Sequence, residues 1–478
     1  GKKMEDLILE SRLSSIVAPA GCGKTQLIIN ILRRNQPKPY LVLTHTTAGV
    51  SALKKRLTRE HIPSKNYSVA TIDGWLIRIA YSFRGSCHVG STMENPKLFY
   101  PEVRRAVLKY LNSGALNCIL KASYSRLLVD EYQDCDVTQH DLIKALATIL
   151  PTTIFGDPMQ CIFDFGRRNA MPEWNMCIGQ DFPLLGELST PWRWENAGTS
   201  RLGRWILDVR EELMRGGQVD LLSCPEYVTW HRLTGLQHVD LAMQRNVQHS
   251  ILNKYPNDSL LVIGSSVNEL SRHQYAQVTS RIEVVEQVQL CGVMLAATMF
   301  DQQVGFQLIK SLLDVAASMI TNIEVTHTLR RVTSILAKRN KTAPFPHEQA
   351  LCTLAIEGTR RNLLTVLELL PLKSGTRIYR KTAYEALKDA VSHSISQSSQ
   401  TIAEAASVIR ERIRHNGDKR IPSRAIGSTL LLKGLETDHC IILDAQGKGM
   451  NAKNLYVALS RGAKSITVFS ADRYIGYP

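Results

Sequence analysis

Ser14-Ser15-Ile16-Val17-Ala18-Pro19-Ala20-Gly21-Cys22-Gly23-Lys24-Thr25 reads as a short buried strand, a glycine-bearing turn and the opening of a helix. Gly21 and Gly23 carry no side chain, so successive backbone N–H groups can converge on an anion where the helix dipole also favours negative charge. Lys24 adds a full positive charge for the β and γ phosphates of a nucleotide, and Thr25 offers a hydroxyl to the Mg2+ that those phosphates carry. The pattern G-x-x-x-x-G-K-S/T is met except that Ala18 stands where its first glycine would be. The following residues supply the expected context: Leu27, Ile28, Ile31 and Leu32 recur at helical spacing, and Pro37 and Pro39 stop the helix.

Outward from this cradle, strands and helices alternate. Tyr40-Leu41-Val42-Leu43 is a strand ending in Thr44-His45-Thr46-Thr47, before a helix around 48–59. In a parallel α/β sheet the carboxyl end of a strand faces the ligand crevice, which puts Thr44 and Thr46 on the working side. Val69-Ala70-Thr71-Ile72-Asp73-Gly74-Trp75 repeats the pattern, a short apolar strand ending in a hydroxyl and an aromatic, with a second reading open, a capped helix with Trp75 in the core.

Leu127-Leu128-Val129 delivers Asp130-Glu131-Tyr132-Gln133-Asp134 to the edge that carries Lys24. Two adjacent carboxylates there can divide the work. Asp130 holds the Mg2+ shell, while Glu131 orients and deprotonates the attacking water. A helix around 141–150 leads to Thr153-Ile154-Phe155, which ends in Gly156-Asp157-Pro158-Met159-Gln160. The Gln160 amide can hydrogen-bond a γ phosphate or a water and so report its loss. Cradle, carboxylate pair and polar strand end, in this order, predict a nucleotide-hydrolysing core.

Composition sets the limits. At 478 residues the chain is too long for one core, and its 44% hydrophobic and 21% charged content exclude wholesale disorder. No apolar run approaches the about 20 residues of a membrane span, and no signal-type apolar core follows Gly1-Lys2-Lys3-Met4. The expectation is a cytoplasmic protein that makes no use of a membrane. Ten cysteines without a C-x-x-C pair argue against a zinc ribbon or a disulfide framework. Lys and Arg outnumber Asp and Glu by 58 to 43, a formal charge of +15, which points to a polyanionic partner, nucleic acid first.

The second half reads as another α/β core. Leu260-Leu261-Val262-Ile263, Ile282-Glu283-Val284-Val285, Ser428-Thr429-Leu430-Leu431-Leu432 and Cys440-Ile441-Ile442-Leu443 are its predicted strands. Between them, helical periodicity dominates, as in Leu308, Leu312 and Leu313 and in Leu363, Val366, Leu367 and Leu370. The expected organisation is a first core over 1–81 and 122–186, a small insertion over 82–121, a second core over 187–290 and 420–478, and a helical insertion over 291–419.

Ala18 to Thr25, Asp130 to Asp134, Gly156 to Gln160, Lys433-Gly434-Leu435-Glu436 and Tyr456-Val457-Ala458-Leu459-Ser460-Arg461 together resemble the UvrD/PcrA/Rep family of superfamily 1 helicases, in order and in spacing. The resemblance implies two RecA-like P-loop domains with parallel sheets, each carrying a mainly helical insertion. It implies ATP and Mg2+ as ligands, with Lys24, Thr25 and Asp130 binding Mg-ATP, Glu131 as general base and Gln160 on the γ phosphate. Leu188 to Arg193 resembles the family's motif at the start of the second core, implying Trp192 against adenine and Arg193 on the γ phosphate. Glu436 would meet the ribose and Arg461 would be the arginine finger of the second core. Residues 1–17 contain no glutamine to read adenine.

For nucleic acid, the resemblance implies single-stranded or tailed DNA, phosphate contacts from Thr44, Thr46 and Thr71, and a base stacked on Phe165. The implied activity is ATP-dependent translocation or unwinding, 3′ to 5′, and the resemblance admits a nuclease partner in DNA repair or anti-phage defence. The alternative is a nucleotide-switched regulatory subunit that hydrolyses ATP without productive unwinding.

Overall fold

A computed structural model of the chain describes residues 1–163, 173–174, 178–415 and 421–476. They fall into two compact units, one of Gly1–Thr229, Met450–Ile466 and Arg473–Pro478, the other of Trp230–Gly449 and Thr467–Asp472.

The first sheet is built from β1 (Leu13–Val17), β2 (Tyr40–Thr44), β3 (Tyr67–Thr71), β4 (Arg126–Val129), β5 (Thr152–Gly156) and β6 (Leu184–Glu187). Their order is β3-β2-β4-β5-β1-β6, and every pairing is parallel. Parallel strands need a layer on each face, so they are apolar on both. β2 shows the consequence: Tyr40 and Val42 pack with Ile28, Ile31 and Phe155, while Leu41 and Leu43 point the other way, to Trp75, Leu127 and Ile143. Helices Lys24–Arg33, Thr47–Arg59, Ile72–Ser82 and Val137–Ala147 supply those layers.

Residues 82–121 pack on this body through the helix Pro96–Asn112, whose Phe99, Val103, Val107 and Leu111 lie four residues apart and join the Trp75 layer. Arg104 fixes the contact, forking onto Asp73 at 2.8 and 3.0 Å and reaching Asp136 at 2.9 Å. Asp136 itself caps the helix Val137–Ala147 in a capping box with Gln139.

Further on come β7 (Val219–Asp220), β8 (Val228–Arg232), β9 (Leu260–Ile263), β10 (Glu283–Val284), β11 (Arg424–Gly427), β12 (Thr437–Ile442), β13 (Gly462–Ser470) and β14 (Tyr474–Ile475). β7 and β14 form an antiparallel ribbon, and the others form a second six-stranded sheet in the order β10-β11-β9-β12-β13-β8. β10, β11, β9 and β12 run parallel. The α/β class with two parallel-type sheets is therefore the one expected from sequence. One strand is not. Ser428–Leu432 folds as turns, with Leu432 N–H returning to Ser428 O at 3.0 Å, and the strand in its place is β11, which stops at Gly427. The apolar run Leu430-Leu431-Leu432 misled because Leu432 turns back to pack on Gly427 and Leu430 is left exposed.

Residues 291–415 are helical, from Cys291–Gln302 to Ile402–His415, around a core of their own that includes Leu308, Leu312, Leu363, Val366 and Leu387. The first unit takes in residues 187–229 and 450–466, segments that the sequence reading assigns to the second core. Trp194, fully buried, shows how: its indole N–H donates to Gly462 O at 3.0 Å. Among the described residues no helix is long and apolar enough to cross a membrane, and no described cysteine is in a disulfide.

Candidate active site

The glycine turn hangs from the carboxyl end of β1. Gly21 and Gly23 have φ of 71° and 88°, left-handed values that a side chain would strain. There is no room for one either. A Cβ on Gly21 would stand 2.8 Å from Trp194 and 2.9 Å from Arg193 Cβ, and one on Gly23 would stand 2.8 Å from Trp192 Cδ1. Trp192 thus lies against the turn with 52% of its surface open. The Ala20 N–H donates to the hydroxyl of Tyr456 at 3.0 Å. Cys22 is 3% exposed, and burial pushes its thiol up to about 12. Thr25 sits in the first turn of the helix Lys24–Arg33.

β4 is two strands from β1 across β5, about 10 Å at the usual spacing of about 4.8 Å per strand. Lys24 spans that distance. Its Nζ is 2.7 Å from Asp130 Oδ1 and also contacts Glu131 Oε1. Burial works against the charge on Lys24, but the two carboxylates outweigh it and hold the ammonium above its ordinary value. Burial raises the Asp130 carboxyl; Lys24 pulls it down and the neighbouring Glu131 adds to the rise.

Glu131 has φ 51° and ψ 45°, a left-handed conformation that costs a non-glycine residue about 1–3 kcal/mol and persists only where the surroundings impose it. They do. Its N–H donates to Asp130 Oδ1 at 2.8 Å, and Gln133 Nε2 donates to its Oε2 at 2.7 Å. Gln133 is buried and in turn accepts the Asp157 N–H at 3.1 Å, tying the end of β4 to the end of β5. Gly156 makes the approach possible, since a Cβ there would stand 2.7 Å from Gln133 Oε1.

Tyr132, fully buried, anchors the same turn from behind, with its hydroxyl 2.5 Å from His140 Nδ1 and His140 Nε2 3.1 Å from Asp181 Oδ2. Burial lowers the His140 pKa. A neutral imidazole that accepts from the phenol at Nδ1 keeps its proton at Nε2, where the carboxylate accepts it.

Gln160 donates to Asp157 Oδ2 at 3.2 Å. Asp157 is gripped by the buried guanidinium of Arg210, Nη2 to Oδ1 at 2.7 Å and Nε to Oδ2 at 3.2 Å, a bidentate pair that fixes the end of β5. Arg193 stays beside the cradle, its N–H on Gly21 O at 3.1 Å and its Nη1 on Ser460 O at 2.5 Å. Arg461 is 1% exposed and braces the end of the helix Ala452–Leu459, donating from Nε to Val457 O at 2.8 Å and from Nη2 to Ser460 Oγ at 3.0 Å.

The structure therefore brings Lys24, Asp130 and Glu131 into contact, places Trp192 and Arg193 on the cradle, and links Gln160 to Glu131 through Asp157 and Gln133. Thr44 is buried at the end of β2. Thr46 and Thr71 cap helices, accepting from Gly49 N and Gly74 N at 3.0 Å each, and a hydroxyl that accepts still has a proton to donate. Trp75 is core at 1% exposure, the second of its two readings. Glu436 is exposed before β12 in the second unit, and Phe165 lies outside the described residues. Four groups escaped the sequence reading: Gln133 as the holder of Glu131, the Tyr132–His140–Asp181 relay, Arg210 on Asp157, and Tyr456 on Ala20. Gln133 and Tyr456 stand inside motifs already quoted, whereas Arg210 and His140 carry no local signal.

Residues 101–183 match the family model of the UvrD/REP helicase N-terminal domain, a span that holds both Asp130–Asp134 and Gly156–Gln160. Over 73 residues, 15% of this chain, it is 36% identical to the ATP-dependent DNA helicase Rep of Escherichia coli (strain K12). The chain spans 10% of the length of that relative. Among solved structures it is similar to Arterivirus nonstructural protein 10 (helicase), with a TM-score of 0.30 at 8% identity over 97% of this chain and 60% of that one. The complex of that helicase with DNA gives 0.28 at 10% identity, covering 55% and 50%. The resemblance to UvrD-like helicases carried by the motifs is thus met again by the family model and by the Rep relative.

Proposed function

We propose that the chain is an ATP-dependent DNA helicase, a motor that hydrolyses ATP to move 3′ to 5′ along single-stranded DNA. The observation that carries the reading is the Lys24 ammonium held between Asp130 and Glu131 beneath the glycine turn. In this reading the backbone of Ala20 to Gly23 binds the phosphates of ATP, and Lys24 swings from the carboxylates to the β and γ phosphates, which offer it more charge. Asp130 and Glu131 already share one cation, and carboxylate with hydroxyl oxygens is the donor set a hard divalent ion prefers, so the residues fit Mg2+. Thr25 and Asp130 would hold it. Mg2+, when bound, neutralises charge on the β and γ phosphates.

Glu131, released by Lys24 and kept in place by Gln133, then takes the proton of the attacking water. Gln160 senses the γ phosphate, Trp192 stacks on the adenine with its open face, and Glu436 meets the ribose. Arg193 and Arg461 neutralise charge that develops during hydrolysis, Arg461 by leaving its bonds to Val457 and Ser460. The proposed working division is a first RecA-like core over 1–81 and 122–186, a second over 187–290 and 420–478, and insertions over 82–121 and 291–419. DNA phosphates meet Thr44, Thr46 and Thr71 at the ends of β2 and β3, a base stacks on Phe165, and the net charge of +15 supports a polyanionic track. A nuclease partner belongs to the same proposal, and co-purification from the native host tests it.

The experiment for the motor is ATPase measured with and without single-stranded DNA, together with displacement of streptavidin from strands biotinylated at one end or the other. DNA-stimulated turnover with displacement from one end only is the expected result. ATPase indifferent to DNA would leave a nucleotide-switched regulatory subunit instead.

A further inference from the structure

In the second unit, three side chains of metal-binding type converge. Glu269 and His273 stand one turn apart on the helix Glu269–Val278, and Glu286 follows β10. One donor atom from each lies within 4.8 Å of the other two. His273 Nε2 is 3.5 Å from Glu269 Oε1 and 3.9 Å from Glu286 Oε2. Against the about 3.3 Å edge of a tetrahedron with bonds of about 2.0 Å, the two histidine spacings are long by about 0.2 and 0.6 Å, a gap that rotation of the side chains can close into a coordination shell.

A second observation is independent of the spacing. His273 is 9% exposed, and its Nε2 is buried without a hydrogen bond. A buried imidazole nitrogen normally has a partner, and here it lines a cavity of about 190 Å3 together with Glu269, Glu286, Cys291 and Arg380. Glu286 is locked in place by Arg380, whose Nε and Nη2 donate to its two oxygens at 2.8 and 3.1 Å. Hydrogen bonds of this kind orient a carboxylate ligand. The two glutamates face two guanidinium groups, Arg380 and the buried Arg272, which balance their charge.

We propose that Glu269, His273 and Glu286 bind a first-row divalent cation, Zn2+ by preference, with water in the remaining position. One imidazole with two carboxylates favours such an ion over Mg2+, which takes oxygen ligands and holds its water. The site lies at the root of the helical segment: Glu286 precedes the helix Cys291–Gln302, and Arg380 precedes the helix Lys381–Ser396. A bound ion ties the Glu269 helix to the exit of β10 and stabilises this unit by mass action.

The test is a Co2+ titration of the metal-stripped 478-residue chain, followed by visible absorption and thermal melting. Expected are uptake of one Co2+ per chain with weak d–d bands of a nitrogen and oxygen site, displacement by equimolar Zn2+ but not by Mg2+, and a raised melting temperature. Glu269→Gln and His273→Asn should each weaken binding by more than the about ten- to a hundredfold that loss of an outer-shell partner costs. Glu269 is partly exposed, so its variant separates loss of the site from loss of the fold. Absence of one-to-one uptake, intense thiolate charge-transfer bands, or unchanged affinity in Glu269→Gln would each overturn the site.

Discussion

Gln133 holds Glu131 by its outer oxygen, Nε2 to Oε2 at 2.7 Å, while its own carbonyl is held by the Asp157 N–H at 3.1 Å. The proposed base is therefore positioned by the neighbouring strand and does not rely on its own strained backbone. Gln133→Leu keeps the volume and removes the amide. Turnover should fall about ten- to a hundredfold with ATP affinity within a few-fold, since misplacing a reacting group by about 1 Å costs on that order. Glu131→Gln should lose more, about 10²–10⁴-fold, and still bind ATP. Steady-state ATPase beside equilibrium nucleotide binding reads both, and full turnover in Gln133→Leu would remove it from the site.

Lys24→Ala leaves Asp130 and Glu131 side by side without their shared cation. ATP binding should weaken sharply and hydrolysis should vanish. Without nucleotide, the variant should melt earlier than the wild type and recover more of its melting temperature as Mg2+ is raised, because a divalent ion replaces the lost charge. Turnover above a tenth of wild type, or a melt indifferent to Mg2+, would contradict the role given to this lysine.

Cys22 should be slow to alkylate between pH 7 and 9. Burial favours its neutral thiol and pushes the pKa up to about 12, so its thiolate is scarce until well above the ordinary range. The same shift has a sign for stability: the contribution is present below the ordinary thiol value and is lost as pH rises towards about 12. Mass spectrometry after a short iodoacetamide pulse should find exposed Cys118 and Cys291 modified well before Cys22. Equal rates would mean that the cradle opens freely.

Arg461→Ala separates two jobs. If the guanidinium neutralises charge during hydrolysis, turnover should fall about 10³-fold or more while ATP affinity stays within a few-fold. Its bonds to Val457 O and Ser460 Oγ also predict a melting temperature lower by a few degrees. Loss of ATP binding in step with melting, and turnover lost only in proportion, would make Arg461 a helix brace alone.

The features legible in sequence are those whose cause is local. Lys24, Asp130 and Glu131 follow strands that announce themselves by a few apolar residues, and a parallel sheet brings the carboxyl ends of its strands to one edge whatever their order. Gln133 could be quoted but not interpreted, because the target of its amide depends on β5 lying beside β4. Arg210 was invisible, being 53 positions from the Asp157 it grips and on a helix whose pattern says only amphipathic. Ser428 to Leu432 failed for the opposite reason: a local apolar run met a chain reversal that only the packing of Leu432 on Gly427 explains. The Glu269, His273 and Glu286 cluster escaped because its third member comes from another element.

The hydrogen bond from Ala20 N–H to the Tyr456 hydroxyl joins residues 436 positions apart. Ribosomes deliver a chain from its amino end at about 5–20 residues per second, so the loop waits roughly 20–90 s for the residue that completes it. The sheet it hangs from is fully synthesised by Glu187, long before that. A nascent chain stalled between residues 187 and 450 therefore carries a finished sheet and an unfinished loop, and premature termination there should release a product without competent nucleotide binding, however well its amino-terminal half has folded.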